Sequence, residues 1–412
     1  MEADFDAIIV GGGPSGSTAA ILLAQAGWSV AVIERQSFPR RKVCGECIAA
    51  TNLPLLHALG IGDSFDRIAG PEIREVALFV GEETLQAPLP PFEAPFAWGR
   101  ALGREHLDTL LLERASAVGA TVLQPRTVKR IEREGLRHLC HTVGADHRPL
   151  TLSAPVLIAA HGSWEPDPAA DARPDVHRDS DLFAFKANYR HAALPRGLLP
   201  VLAFPGGYGG IVVGDHDVTT LAFCIRRDAL REVRGTNAAR KAAISALAHV
   251  RQHCRGVREA IDGAQIEGSW LGVGPLRTGI RKPFRDDGVF AIGNVAGEAH
   301  PILGEGMSMA IQSAWLLCDR LIARRHELVE GRGKTDAGSD YARAWRRAFS
   351  GRIRLAAAFA HLAMRPGASR GLLPVLQRWP ALLSLGAKAG GKVRAVVAPA
   401  RAYADIPSGL PG

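Results

Sequence analysis

The sequence predicts an α/β protein in which a doubly wound parallel sheet carries an inserted antiparallel sheet and ends in a helical C-terminal region. Three observations predict it. The first 35 residues read strand, glycine turn, helix, strand, the order of a parallel βαβ unit. Residues 181–279 offer short strands separated by turn residues, the pattern of an antiparallel sheet. Beyond residue 325 the chain is rich in Ala, Leu and Arg and broken only by isolated prolines, which reads as helix.

Residues 6–10 are apolar and β-branched, suiting a strand buried on both faces, and residues 11–16 form a glycine-rich turn. A small-residue helix is expected over 17–26, stopped by Gly27, and a second strand over 28–33 ends at Glu34. Pro and Gly break the pattern from 35 to 101, apart from an alternating strand at 75–80. Residues 104–118 place Leu107, Leu110, Leu111 and Val118 on one helical face. Strands are expected at 121–123, 128–132, 138–142 and 155–160, and a Pro/Asp/Ala-rich linker at 164–181. The antiparallel set is 182–189, 199–204, 210–213, 218–226 and 266–273, with a helix at 237–251. A strand at 288–293 and a long helix at 307–324 return to the first domain, and Pro366, Pro374 and Pro380 interrupt the helical remainder. The expected units are therefore 1–180, with loop segments 40–100 on the substrate side, then 181–284, 285–325 and 326–412.

A chain of 412 residues, 47% hydrophobic and 22% charged, can bury a large core and is neither disordered nor fibrous. Its net charge of +9 is lopsided: residues 342–404 hold twelve Lys/Arg and no Asp or Glu, leaving −3 for the remainder. Nucleic-acid binding is not expected, because the excess belongs to one stretch and no nucleic-acid motif accompanies it. Six cysteines without an even framework argue against a disulfide-stapled secreted fold. The acidic start without an apolar leader, and the lack of an uncharged apolar run of about 18 residues or more, lead to a cytoplasmic expectation.

Gly11-x-Gly13-x-x-Gly16, with Ser15 inside the turn and Glu34 at the end of the second strand, is a Rossmann-like dinucleotide fingerprint. Gly11 permits the tight turn, Gly13 lets backbone approach a pyrophosphate, and Gly16 lets helix and strand pack closely. The helix N-terminus offers unpaired N–H groups to phosphate. Glu34 can accept both hydroxyl hydrogens of a ribose and would repel a 2′-phosphate, with Arg35 beside it partly offsetting that repulsion. The dinucleotide is thus FAD or NAD.

Gly293-Asn294-Val295-Ala296-Gly297-Glu298-Ala299-His300-Pro301-Ile302-Leu303-Gly304-Glu305-Gly306, with a strand before it and the Met307 helix after it, resembles the second flavin motif of the p-hydroxybenzoate hydroxylase-like FAD-dependent monooxygenases. It departs at Asn294, where that family has Asp. Arg104 resembles the arginine that approaches the FAD pyrophosphate, and His161-Gly162 stands where the family reads Asp-Gly. Cys44-Gly45-Glu46 resembles the loop of geranylgeranyl reductase-like flavoproteins and, through Gly45-Glu46, that of flavin-dependent halogenases, although a Trp-x-Trp-x-Ile-Pro segment is missing. Residues 204–210 resemble the glycine-rich strand that borders the substrate cavity in the reductase and hydroxylase branches. Cys44-x-x-Cys47 also admits a redox pair or half of a zinc site, with Cys140-His141 the sole further ligand candidates, and no metal is expected.

The resemblance implies bound FAD with NAD(P)H as a transient electron donor. The expected cofactor-binding set is Gly11, Gly13, Ser15, Gly16, Glu34, Arg35, Arg104, Val128, Gly293, Asn294, Gly304, Gly306 and Met307, and the catalytic candidates are His300, Pro301, Glu46 and Cys44. The implied reaction is hydroxylation of an aromatic or polyketide-like small molecule through a flavin C4a-hydroperoxide. The alternatives are reduction of double bonds in a lipophilic prenyl chain, and oxidative modification of a residue on a partner protein. The basic C-terminal region either lies on an anionic membrane surface or caps the active-site domain with its apolar faces.

Overall fold

A computed structural model of the chain describes residues 2–163, 178–235 and 241–391. The linker expected at 164–181 falls largely outside these residues, as do the first residues of the helix expected at 237 and the basic residues after Gly391.

The N-terminal sheet is parallel, with strands in the order Phe290–Ala291, Val156–Ala159, Ala7–Val10, Val30–Ile33 and Thr121–Leu123. Every residue of Ala7–Val10, Val30–Ile33 and Val156–Ala159 is buried, as expected of apolar runs covered on both faces. The first helix is Pro14–Gln25, beginning three residues before the expected start at 17. Pro14 explains the difference: an amide hydrogen in the first helical turn has no intrahelical partner, so a proline costs nothing there. Helix Gly306–Ala323 packs beside it, close enough for the Cys318 thiol to reach the Ala19 carbonyl oxygen at 3.8 Å.

A four-stranded sheet of Arg126–Glu134, Arg137–Gly144, Pro149–Ala154 and Glu2–Asp4 flanks this domain. No strand is expected from the sequence at its last two members, although Leu150, Leu152 and Ala154 alternate with Thr151 and Ser153.

The second large sheet has seven strands, in the order Gln265–Val273, Leu182–Arg190, Thr219–Arg226, Gly207–Val213, Leu198–Phe204, Glu75–Val80 and Glu83–Pro88. Five come from the expected insertion. The hairpin Glu75–Pro88, of which the sequence shows the strand at 75–80 but not its partner, completes the sheet by pairing parallel with Leu198–Phe204. Helices Ala242–His253 and Arg255–Ala260 cover one face.

The C-terminal region is helical: Lys334–Ala363, Pro366–Arg378 and Ala381–Ala389. Ala337, Tyr341, Trp345, Phe349, Ile353, Ala356 and Ala360 recur at helical spacing along the long helix and are all buried. Pro366 and Pro380 stand at helix starts, but Pro374 lies inside its helix rather than ending it. There it removes the hydrogen bond its nitrogen would donate and crowds the carbonyl four residues earlier, yet the helix continues to Arg378. The helices close over the second sheet, with the Gly206 amide bonded to the Met364 carbonyl (3.1 Å) and the Ser384 hydroxyl to the Pro88 carbonyl (2.6 Å). Among the described residues no helix is long and apolar enough to cross a membrane.

Candidate active site

One cavity of about 430 Å³ runs from the glycine turn, between the two large sheets, to the C-terminal helices. Its two ends differ in chemistry.

At the first end the backbone is shaped by glycine. Gly11 holds φ at 107°, and a Cβ there would lie 2.6 Å from the Ala160 carbonyl oxygen. A Cβ on Gly16 would lie 1.8 Å from the Gly11 carbonyl oxygen, so this contact locks turn to helix. At Gly13 the added atom would meet only Arg104 Nη2, at 3.8 Å, and at Gly306 nothing within 4 Å. The wall facing the cavity is therefore bare backbone at both glycine segments, as a bound dinucleotide requires. The Glu34 carboxylate accepts the Gly12 and Gln36 amides at 2.8 and 2.9 Å and remains at the cavity wall.

Two arginines stand at this end. Arg104 is buried and held by both carboxylate oxygens of Asp108 at 2.7 Å. Burial works against its charge, but Asp108 more than offsets that and raises its pKa above the ordinary value. Arg40 lies 3.4 Å from Asp108 and stacks on Phe38, and its buried Nε has no hydrogen-bond partner, leaving a donor for phosphate. No motif marks Arg40. Asp108 was readable as an i+4 partner of Arg104.

The remaining cofactor candidates divide. Ser15, Asn294, Gly304 and Met307 line the cavity, whereas Gly16 and Gly293 lie just behind it, Gly293 with its amide on the Ser313 hydroxyl at 2.9 Å. Arg35 is exposed and Val128 packs in the flanking sheet, and neither lines the cavity. Asn294 donates to the Ser163 hydroxyl at 3.4 Å.

Between the two ends lies the loop Pro301–Leu303, followed by Gly304 in the left-handed conformation and the helix from Gly306. Pro301 lines the cavity; His300 sits behind it, buried, with Nδ1 3.0 Å from the Tyr208 hydroxyl and Nε2 3.3 Å from Thr278 Oγ1. Burial, assisted by His361, lowers the His300 pKa to about 4, so the ring is neutral near pH 7. Burial also keeps the Tyr208 phenol protonated, its pKa raised well above 10. Glu298, four residues after Asn294, is a wall residue that sequence reading left unassigned. Burial raises its pKa, with Arg281 and Ser163 offsetting part of the effect.

Glu46 and Cys44 occupy the facing loop. The Glu46 carboxylate accepts from the fully buried Lys186 ammonium, from Thr220 Oγ1 at 2.6 Å and from the Arg104 amide at 3.0 Å. It thus ties the loop to the second sheet and to the Arg104 helix. Cys44 lines the cavity, its sulfur accepting the Glu46 amide at 3.4 Å; Cys47 is buried, and neither is in a disulfide. His161 lines the cavity at the carboxyl end of strand Val156–Ala159, where ligands of parallel sheets collect.

The second end is apolar. Val201, Ile211 and Phe223 form its sheet wall, and Phe359, Leu376 and Leu383 its helical wall.

Residues 4–168 match the FAD-binding-domain family. This match and the glycine segments give the chain an FAD-binding domain, with FAD as its cofactor, and the two-sheet architecture is the fold shared by flavin-dependent halogenase and monooxygenase structures. Menaquinone reductase of Mycobacterium tuberculosis is 32% identical over 162 residues, which are 39% of this chain and 38% of that protein. Squalene epoxidase 3 of Arabidopsis thaliana is 26% identical over 329 residues, 77% of this chain and 60% of that protein. The structure of the myxobacterial chondrochloren halogenase, 20% identical, superposes with a TM-score of 0.74 over 93% of this chain and 91% of the halogenase. The alignments thus span less than two thirds of either curated relative.

Proposed function

We propose that the protein is an NAD(P)H-using, FAD-dependent monooxygenase that hydroxylates a lipophilic, aromatic or polyketide-like small molecule. The observation that carries this reading is the continuity of a single cavity from the glycine turn, past the Pro301–Gly306 segment, into an apolar chamber. FAD, when bound, supplies electron transfer from NAD(P)H and activation of oxygen. The protein binds, orients and excludes water. Gly13 and the start of the first helix, with Arg40 and Arg104, would hold the pyrophosphate, and Glu34 would hold the ribose. The N-terminus of the helix that begins at Gly306 lines the cavity, and its dipole would stabilise negative charge on a bound flavin. Neutral His300 fixes the Tyr208 hydroxyl at the chamber wall as a hydrogen-bonding contact for substrate oxygen. Glu298, kept protonatable by burial, can hold a proton beside the same loop.

The test is oxidation of NADH and NADPH by the FAD-loaded protein against a panel of phenols, polyketide-like aromatics and prenyl quinones, under labelled dioxygen. Substrate-stimulated oxidation with one labelled oxygen atom in the product supports the reading. A reduced product formed equally well without oxygen refutes it and establishes double-bond reduction instead. Cys44 on the cavity wall and the likeness to a menaquinone reductase support that second reading.

The substrate is drawn from a lipid phase. Leu362 and Leu382 both line the chamber and reach solvent, 36% and 39% exposed, so the chamber opens beside them. Around that mouth Trp379 and Leu385 are more than half exposed, and Arg378 and Lys388 flank them. Apolar anchors beside cations suit the surface of an anionic bilayer. Co-sedimentation with phosphatidylglycerol vesicles should fall sharply for Trp379→Glu/Leu385→Glu. Equal sedimentation of variant and parent removes this surface from the reading.

A further inference from the structure

We propose that His106, Asp215 and His216 form a site for a divalent transition-metal ion, with zinc the probe of choice, that clamps the second sheet to the helix presenting Arg104. The three residues come from two elements far apart in sequence. His106 lies in the first turn of helix Arg104–Ala117, and Asp215 and His216 lie in the turn joining Gly207–Val213 to Thr219–Arg226. One ligand atom from each lies within 4.8 Å of the other two. His106 Nε2 stands 3.3 Å from Asp215 Oδ2, close to the separation of about 3.3 Å for two ligands at roughly 2.0 Å from a tetrahedral zinc. The His106 and His216 rings face each other edge to face with centroids 5.8 Å apart, and His216, being exposed, can close the remaining gap by side-chain rotation.

Two imidazoles and one carboxylate are a donor set that borderline metal ions prefer, with a fourth position left for water. The carboxylate is already oriented for it. Asp215 Oδ1 accepts the Gly103 amide at 2.7 Å, which leaves Oδ2 toward His106, the kind of supporting bond that fixes metal ligands. The neighbouring cation Arg190 is turned to the His216 carbonyl at 3.2 Å and to Glu267 at 2.8 Å, and Arg196 pairs with Asp217.

The backbone points the same way. His216 and Asp217 hold φ at 51° and 57°, in the left-handed region. A two-residue hairpin of this kind is most easily built with Asn-Gly or Gly-Gly. The sequence instead places His at the first of these positions, where its ring joins His106 and Asp215. Residues 106 and 215 are far apart in the chain, so no spacing motif signals the cluster. Because Gly103 and Arg104 are adjacent, a metal here would hold the entry of the helix whose arginine lines the FAD end of the cavity.

Isothermal titration of the chelator-treated, FAD-loaded protein with zinc chloride tests the site. The expected result is saturable uptake of one ion, weakened at least about tenfold in His106→Ala, Asp215→Asn and His216→Ala. His253→Ala, which disrupts the separate His249–His253 ring pair, should leave that uptake unchanged. The exposed His216→Ala variant keeps the turn backbone, so zinc should raise the melting temperature of the parent and not of the variant. Absence of saturable uptake, or uptake equal in the parent and all three site variants, overturns the proposal and leaves His106–Asp215 as an ion pair.

Discussion

His300 gives the structure a pH signature that can be worked out in advance. Its imidazole is buried behind Pro301 between Tyr208 and Thr278, with the His361 ring 5.8 Å away, and its pKa falls from 6.5 to about 4 in the folded protein. The folded state then binds fewer protons than the unfolded state between these values, so stability is lost as pH falls through that window. For a pKa of 6.5 unfolded and 4 folded, the loss on going from pH 7 to pH 5 is about 2 kcal/mol, and it approaches roughly 3 kcal/mol at pH 4. His300→Asn removes the titrating group but keeps a side chain able to hydrogen-bond Tyr208. Urea unfolding of parent and variant at pH 7 and pH 5, each referred to its own stability at pH 7, isolates the contribution. The variant should lose about 2 kcal/mol less than the parent. Equal losses within about 0.5 kcal/mol would show that His300 takes up a proton normally in the folded protein, and would remove the neutral-ring role given to it beside Tyr208.

Three further substitutions probe other parts of the site. Gly13→Asp puts a Cβ 3.8 Å from Arg104 Nη2 and a carboxylate beyond it in the open cavity; the protein should fold, by circular dichroism, yet purify without flavin absorbance. Lys186→Met strands the buried Glu46 carboxylate and should cost about 3–5 kcal/mol in urea unfolding, whereas Lys186→Met combined with Glu46→Gln should recover most of that loss. His216→Gly relieves a left-handed backbone and should stabilise the metal-free protein by up to about 1 kcal/mol while abolishing zinc uptake.

Whatever depends on local covalent and steric rules was legible in the sequence. Gly11 and Gly16 stand where a Cβ would strike backbone and Gly13 where it would fill the space left for a ligand, and the strand before the turn and the acid after it say what the turn is for. The Asn294-to-Gly306 loop is readable for the same reason, because the left-handed Gly304 and the bare backbone at Gly306 are properties of single residues. Side chains whose roles depend on distant partners were not legible. Glu46 reads as a proton-transfer candidate because it lies on the substrate-side loop, but its oxygens go to Lys186 and Thr220, more than a hundred residues away. A lysine in the middle of an apolar strand is the one available signal, since such a residue is almost never fully buried unless paired; the sequence does not say with what. Tyr208 reads only as part of a glycine-rich strand, and of the Glu75–Pro88 hairpin only the strand at 75–80 is legible, without its place in the second sheet, because register across a sheet is set by partners outside the local pattern. The apolar faces of the C-terminal helices were readable by their spacing, but which surface they cover was not. The structure lays them over the chamber, so the inward face of that basic region builds a wall of the site and only its outer face remains for a membrane. Among the described residues of that region Arg378 and Lys388 are exposed, whereas Arg352 is buried beside Glu305, so the charge divides between the outer face and the interior, a division that spacing alone does not reveal.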